Sequence, residues 1–167
     1  MKKNTKKSNL GELISSLILP ALFVLAWIYA LSGSMPPGAV GHEPKDLSYL
    51  RWLVFFGGYV LVVSFIMHFI LAKKTAASIG WKTNGFQYEL AFVSLGLGLG
   101  SFYALSHGVS ALITISIPIM TFLFLAGLNH VKEIIAQKNY APNNTLILIW
   151  DFGMSISLAI LALSVTN

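Results

Sequence analysis

Cysteine is absent from the 167-residue chain. That excludes disulfides, thiolate metal sites and a cysteine nucleophile. Charge is scarce as well: 10% of residues are Asp, Glu, Lys or Arg, against about 25% in an average soluble domain. A chain this short with so few charges cannot cover its own apolar surface in water, whereas in lipid no cover is needed. There is no glycine-rich phosphate loop, no serine nucleophile elbow and no stretch suited to a soluble catalytic domain. Internal repeats and low-complexity tracts are also missing.

What is present is apolar: 56% of the residues are hydrophobic. A helix needs about 20 mostly apolar residues to cross a bilayer core of roughly 30 Å. Five segments meet or approach that length, near residues 13–33, 52–72, 88–105, 110–128 and 146–165. The third is short and opens on Glu89. The expected fold is all-α: a polytopic transmembrane bundle of about five helices in one domain, 13–167, behind a basic tail, 1–12. The first segment resembles a signal peptide in its basic start. Its apolar run of about 20 residues exceeds the 7–15 of a signal core, so we read it as a retained helix.

The net charge of +5 is distributed as a topology signal, not as a nucleic-acid face. With the N-terminus in the cytoplasm, the inner segments hold Lys2, Lys3, Lys6, Lys7, Lys73, Lys74, Lys82, Lys132 and Lys138. The outer segments then hold only Lys45 and Arg51. Nine against two predicts a cytoplasmic N-terminus and an external C-terminus in a prokaryotic inner membrane. A re-entrant hairpin made of the third and fourth segments would leave that count unchanged. Pro20 and Pro118 predict local bends, Met35-Pro36-Pro37-Gly38 a turn, and Tyr49 with Trp52 an outer aromatic belt.

Lipid supplies no hydrophobic drive for helix association, so small residues and polar contacts must supply the packing. Gly96 and Gly100 are a small-xxx-small pair, as are Ser94 and Gly98. This places the third helix at the bundle centre or against another subunit. Gly57 and Gly58 offer a similar surface on the second helix.

Four titratable residues fall toward the inner side: His68, Glu89, His130 and Asp151. Asp151 lies about 8 Å beyond Leu146 at 1.5 Å per residue. Helical spacing puts each on a small or polar face: His68 with Ser64, Leu61 and Gly57; Glu89 with Val93, Gly96 and Gly100; His130 over Gly127 and Ala126; Asp151 over Ser155, Ala159 and Ala162. Each has a plainer reading. Glu89 suits a first helical turn and His130 a last one, and His68 suits a satisfied interior position. Asp151 is too deep to cap a helix, and an aspartate costs about 2.5–3.5 kcal/mol near a span centre. It therefore asks for a partner: His130, His68, Lys132, water or a cation. Two histidines and two carboxylates suit a divalent metal, and two histidines at one depth suit axial haem ligation. No His-x-x-x-His or Glu-x-x-His pair fixes either, so metal and cofactor stay open.

Ser78-Ile79-Gly80-Trp81, Phe86-Gln87 with Glu89, Gly127 with His130, and Asn139-Tyr140-Ala141-Pro142-Asn143-Asn144 followed by Asp151 form an ordered set. In these pieces the chain resembles an uncharacterised family of small prokaryotic multi-helix membrane proteins, a domain of unknown function. In that family's loop, glycine stands where this chain has Asn143, and Asn tolerates left-handed geometry. The resemblance implies a helical bundle with a polar cluster and implies no activity. A looser likeness, to DoxX-like membrane proteins, rests on size and helix number. Two readings follow. One is a non-enzymatic accessory, assembly or partner-binding bundle, with a membrane-protein partner or a second copy meeting Gly96 and Gly100. The other is a proton or cation pathway, or a metal- or haem-dependent redox component. A small-molecule or lipid pocket between the helices is a third possibility that the sequence leaves open.

Overall fold

A computed structural model describes residues 10–166; the basic tail's Lys2, Lys3, Lys6 and Lys7 lie outside the described residues. In chain order the helices are α1 (Leu10–Ser16), α2 (Ile18–Leu31), α3 (Lys45–Phe69), α4 (Ala72–Ser78), α5 (Gly85–Leu105), α6 (Gly108–Gln137), α7 (Pro142–Thr145) and α8 (Ile147–Ser164). Five continuous stretches are long and apolar enough to cross a membrane: Leu10–Leu31, α3, α5, α6 and Pro142–Ser164. They run up and down, so one end of the bundle gathers α1, α4, α7 and His130. The other end gathers Arg51, residues 32–44 and the α5–α6 turn.

All five expected segments are helical, and their ends moved for physical reasons. The third span is 21 residues, starting at Gly85 rather than Tyr88. The fourth continues past Leu128 to Gln137, and its polar last turns are held by the connection that follows, through Asn139 N–H on Glu133 O and Asn144 on His130. His130 is therefore a buried helical residue, not the end of the helix. The second span starts at Lys45, which takes Arg51 out of the outer loop and into a helix.

Pro20 has no N–H for the Ser16 carbonyl, and its ring crowds that carbonyl. The helix breaks at Leu17 between α1 and α2, where Leu17 N–H bonds back to Ile14 O at 3.2 Å. Pro118, in contrast, sits inside an unbroken α6.

The central helix is α3, which packs on α2, α5, α6 and α8. The glycine-rich α5 lies beside it: Ala91, Ser94, Gly98, Ser101 and Ala104 are buried, while Phe92, Val93, Leu99 and Tyr103 are exposed on its other side. The closest backbone approach is at Gly58 and Gly98. A Cβ on Gly98 would lie 2.8 Å from Val62 Cγ2 and 3.0 Å from Gly58 O; one on Gly58 would lie 2.8 Å from Ser101 Cβ. Gly57 and Gly96 meet nothing within 4 Å, and Gly100 faces Ile115 of α6. Of the small pairs, Ser94 and Gly98 thus make the α3 contact, backed by a Ser64–Ser94 hydroxyl bond of 3.3 Å.

At the Arg51 end, the Arg51 Nε donates to both Glu43 oxygens, at 3.0 and 2.8 Å. Its Nη1 donates to Leu105 O. The expected turn forms, with Ala39 N–H on Pro36 O at 3.2 Å and Gly38 at φ +80° pressed on Leu105 O. Trp52 is buried rather than in a belt; it packs on Tyr29, Phe55 and Phe56. Its indole N–H donates to Ser34 O at 3.2 Å. The long connection is therefore fastened to the helices at both flanks.

The α3–α5 contact predicts a paired outcome. Gly98→Ala should destabilise the protein in detergent by about 1–3 kcal/mol through overpacking. Gly96→Ala should leave it unchanged or stabilise it by up to about 1 kcal/mol through helix propensity. Equal effects in thermal unfolding would contradict this packing.

Candidate functional site

The ordered set of motif residues converges at one end of the bundle. The chain leaves α6 through Lys138, which adopts left-handed backbone (φ 53°, ψ 37°). Asn139 then turns back: its N–H bonds Glu133 O at 3.2 Å, and its Oδ1 accepts from Ala141 N–H at 3.3 Å. Its Nδ2 reaches across to Ile79 O at 2.7 Å. Gly80, at φ +80°, lies against that amide, where a Cβ would come within 2.8 Å of Asn139 Oδ1. Pro142 opens α7, where its missing N–H costs nothing and its fixed φ suits the first helical position. Asn143 is the second residue of α7, and Lys138 is the one non-glycine residue with positive φ among those described. The turn thus makes no left-handed demand at Asn143; that demand falls on Lys138.

Asn144 is fully buried. Its Nδ2 donates to Asn139 O at 3.0 Å and, more weakly, to His130 O at 3.5 Å. Those two carbonyls fix the amide's orientation and aim Oδ1 at His130 Nδ1, 2.8 Å away. Trp81 stacks on the imidazole, with ring centroids 5.4 Å apart and planes at 16°. On the imidazole's far side, Nε2 lies 4.0 Å from Asp151 Oδ2. Gly127 makes this approach possible, because a Cβ there would lie 3.0 Å from Phe152 and 3.3 Å from Asp151 Cβ. Asp151 is 2% exposed. Its Oδ2 and the Trp81 Nε1 are the buried side-chain polar atoms without a hydrogen-bond partner among the described residues.

Of the four sequence candidates, His130 and Asp151 come together. His68 is half-buried at the same end of the bundle. Its Nδ1 pairs with Gln87 Nε2 at 3.3 Å, and the same amide donates to Ala72 O at 2.9 Å. Glu89 is exposed on the outer side of α5. No three His, Cys, Asp or Glu side chains gather in a metal-holding group among the described residues. The His68 face with Ser64 and the Asp151 face with Ser155 and Ala162 turn inward, whereas Glu89, Val93 and Gly96 turn outward.

Trp81, Gln87, Asn139 and Asn144 were not among the candidates, although all four belong to the ordered motif set. Their signal was polarity at fixed positions in connections between apolar runs. The buried Arg51–Glu43 pair had no such signal, since its members stand eight positions apart in what read as one exposed segment.

No curated protein and no solved structure matches the chain. A family model does, over residues 15–167, a range that takes in every residue of the site just described. The chain belongs to that family, a family of unknown function designated DUF6790.

Proposed function

We propose that the chain is a multi-pass protein of a prokaryotic cytoplasmic membrane and serves as a non-enzymatic partner-binding or assembly bundle. The N-terminus is cytoplasmic and the C-terminus external. The exposure of the cations supports this orientation. Lys73, Lys74, Lys82, Lys132 and Lys138 are all exposed at the His130 end. At the opposite end Arg51 is buried and neutralised by Glu43, which leaves Lys45 as the exposed cation there among the described residues. Among the described residues, five of the seven basic side chains therefore lie at the end read as cytoplasmic, and that count supports the orientation.

Glu89 carries the partner reading. It is exposed, in line with Val93 and Gly96 on a side of α5 that no other part of the described chain covers. A carboxylate on a lipid-facing span surface is costly, and a flat glycine next to it admits close helix approach. Gly100 already has Ile115 against it, so the contact centres on Gly96. The second reading, a polar site at work within the bundle, is favoured by the unpartnered Asp151 oxygen. It narrows to the His130–Asp151 pair, because the Gln87 amide holds His68 and Glu89 faces outward.

The cysteine-free chain permits a direct test of topology. His107→Cys should react with a membrane-impermeant maleimide in intact cells, and Lys138→Cys only after permeabilisation. The reverse pattern would overturn the orientation. A photo-crosslinking residue at Val93 should give a protein adduct, while the same residue at Ile160, exposed on α8, should not. Lipid adducts alone at both positions would contradict the partner reading.

A further inference from the structure

We propose that His130 and Asp151 are a dyad that binds one exchangeable proton, with the imidazole tautomer set by Asn144. The inference goes beyond the partner reading and does not depend on it. Asn144 Nδ2 is committed to the carbonyls of Asn139 and His130, so its Oδ1 is the atom facing His130 Nδ1 at 2.8 Å. An amide oxygen can only accept. Nδ1 therefore carries a hydrogen, and the neutral imidazole presents a bare lone pair at Nε2. That lone pair looks at Asp151 Oδ2 from 4.0 Å, and the oxygen has no hydrogen-bond partner. Two acceptors facing each other, on an aspartate 2% exposed and a histidine 7% exposed, satisfy neither group, and an ionised carboxylate there is a bare buried charge.

One proton resolves both. On the carboxyl, it makes an O–H that donates to Nε2; on Nε2, it makes an imidazolium facing a carboxylate. The proton enters from solvent, no other bond changes, and both arrangements leave the dyad with no net charge. A second proton would leave an imidazolium facing a neutral acid, and no proton would leave an uncompensated anion. The 4.0 Å gap exceeds a hydrogen bond, and the bound proton draws the two atoms together across it.

The surrounding groups tune this site without replacing it. His68 lies at the same end on α3, where it pairs with Gln87, and Glu133 follows His130 by three residues on α6 itself. Glu12 of α1 lies at the same end of the bundle, and α7 carries no titratable side chain. Beyond Asp151, α8 has no titratable residue as far as Ser164. The dyad therefore takes its proton from the His130 end and holds it, rather than passing it across the bundle.

The chain has four histidines and two aspartates, few enough for direct assignment by NMR. Protein with 15N-imidazole histidine and 13C-carboxyl aspartate, reconstituted in lipid nanodiscs, reports each protonation state. Asp46→Asn assigns the carboxyl signals without touching the dyad, and His42→Gln with His107→Gln simplifies the imidazole signals. At neutral pH, His130 should show a protonated Nδ1 and one further proton, either on Nε2 or on the Asp151 carboxyl. The two signals should then change together in a single step as the pH rises. An ionised Asp151 beside a neutral His130 at neutral pH would overturn the proposal. Protonation of both groups, or two separate steps, would overturn it equally.

Discussion

The close approach of α6 and α8 at Gly127 governs the His130 end of this protein. Without a side chain at that position, Asp151 and Phe152 come against the α6 backbone, and Asp151 reaches the depth of His130. The histidine in turn is held through Asn144, which belongs to neither helix but to the short α7 between them. A residue of this short connecting helix thus aligns a side chain of the helix before it with a side chain of the helix after it. Asn139 extends the same joint to the end of α4 through Ile79 O. The helices are tied by polar groups at their ends and by glycine contacts along their length.

The two ends of the bundle solve one problem in different ways. Each must bury a charged or titratable side chain inside an apolar span. At the Arg51 end both charges are present and paired, with Glu43 accepting twice and Leu105 O taking a further donor. This is a satisfied arrangement of the kind that fixes a loop in place. At the His130 end the pairing is incomplete, since Asp151 Oδ2 accepts nothing while Trp81 Nε1 donates to nothing. A fully bonded joint stabilises; a joint with one open acceptor and one open donor can respond to what binds there. The response we derive is to a proton.

Much of the architecture was legible because apolar runs of span length are a strong signal, and all five became helices. Their limits were less legible, for a reason visible at Arg51 and His130. Both lie in polar helical turns that hydropathy assigns to loops, and both are buried by contacts with residues far along the chain. The pairing of His130 with Asp151 could be anticipated from depth along the spans. The outward direction of Glu89 could not, because small residues line two sides of α5 and spacing alone does not say which meets α3. Ser94 and Gly98 do so, leaving Glu89 and Gly96 outside. The role of Asn144 was hidden in another way. Its hydrogen bonds join residues five and fourteen positions away, and no helical or strand period relates them.

Residues 139–144 form a hydrogen-bonded joint between α6 and α8 and not a free surface loop. Hydrogen exchange followed by mass spectrometry in nanodiscs tests it most directly. Peptides covering Asn139 to Asn144 should exchange slowly, far more slowly than those covering the exposed Val40, Gly41 and His42, and Asn144→Ala should abolish the difference. Equal, fast exchange of both connections in the unmodified protein would contradict the account.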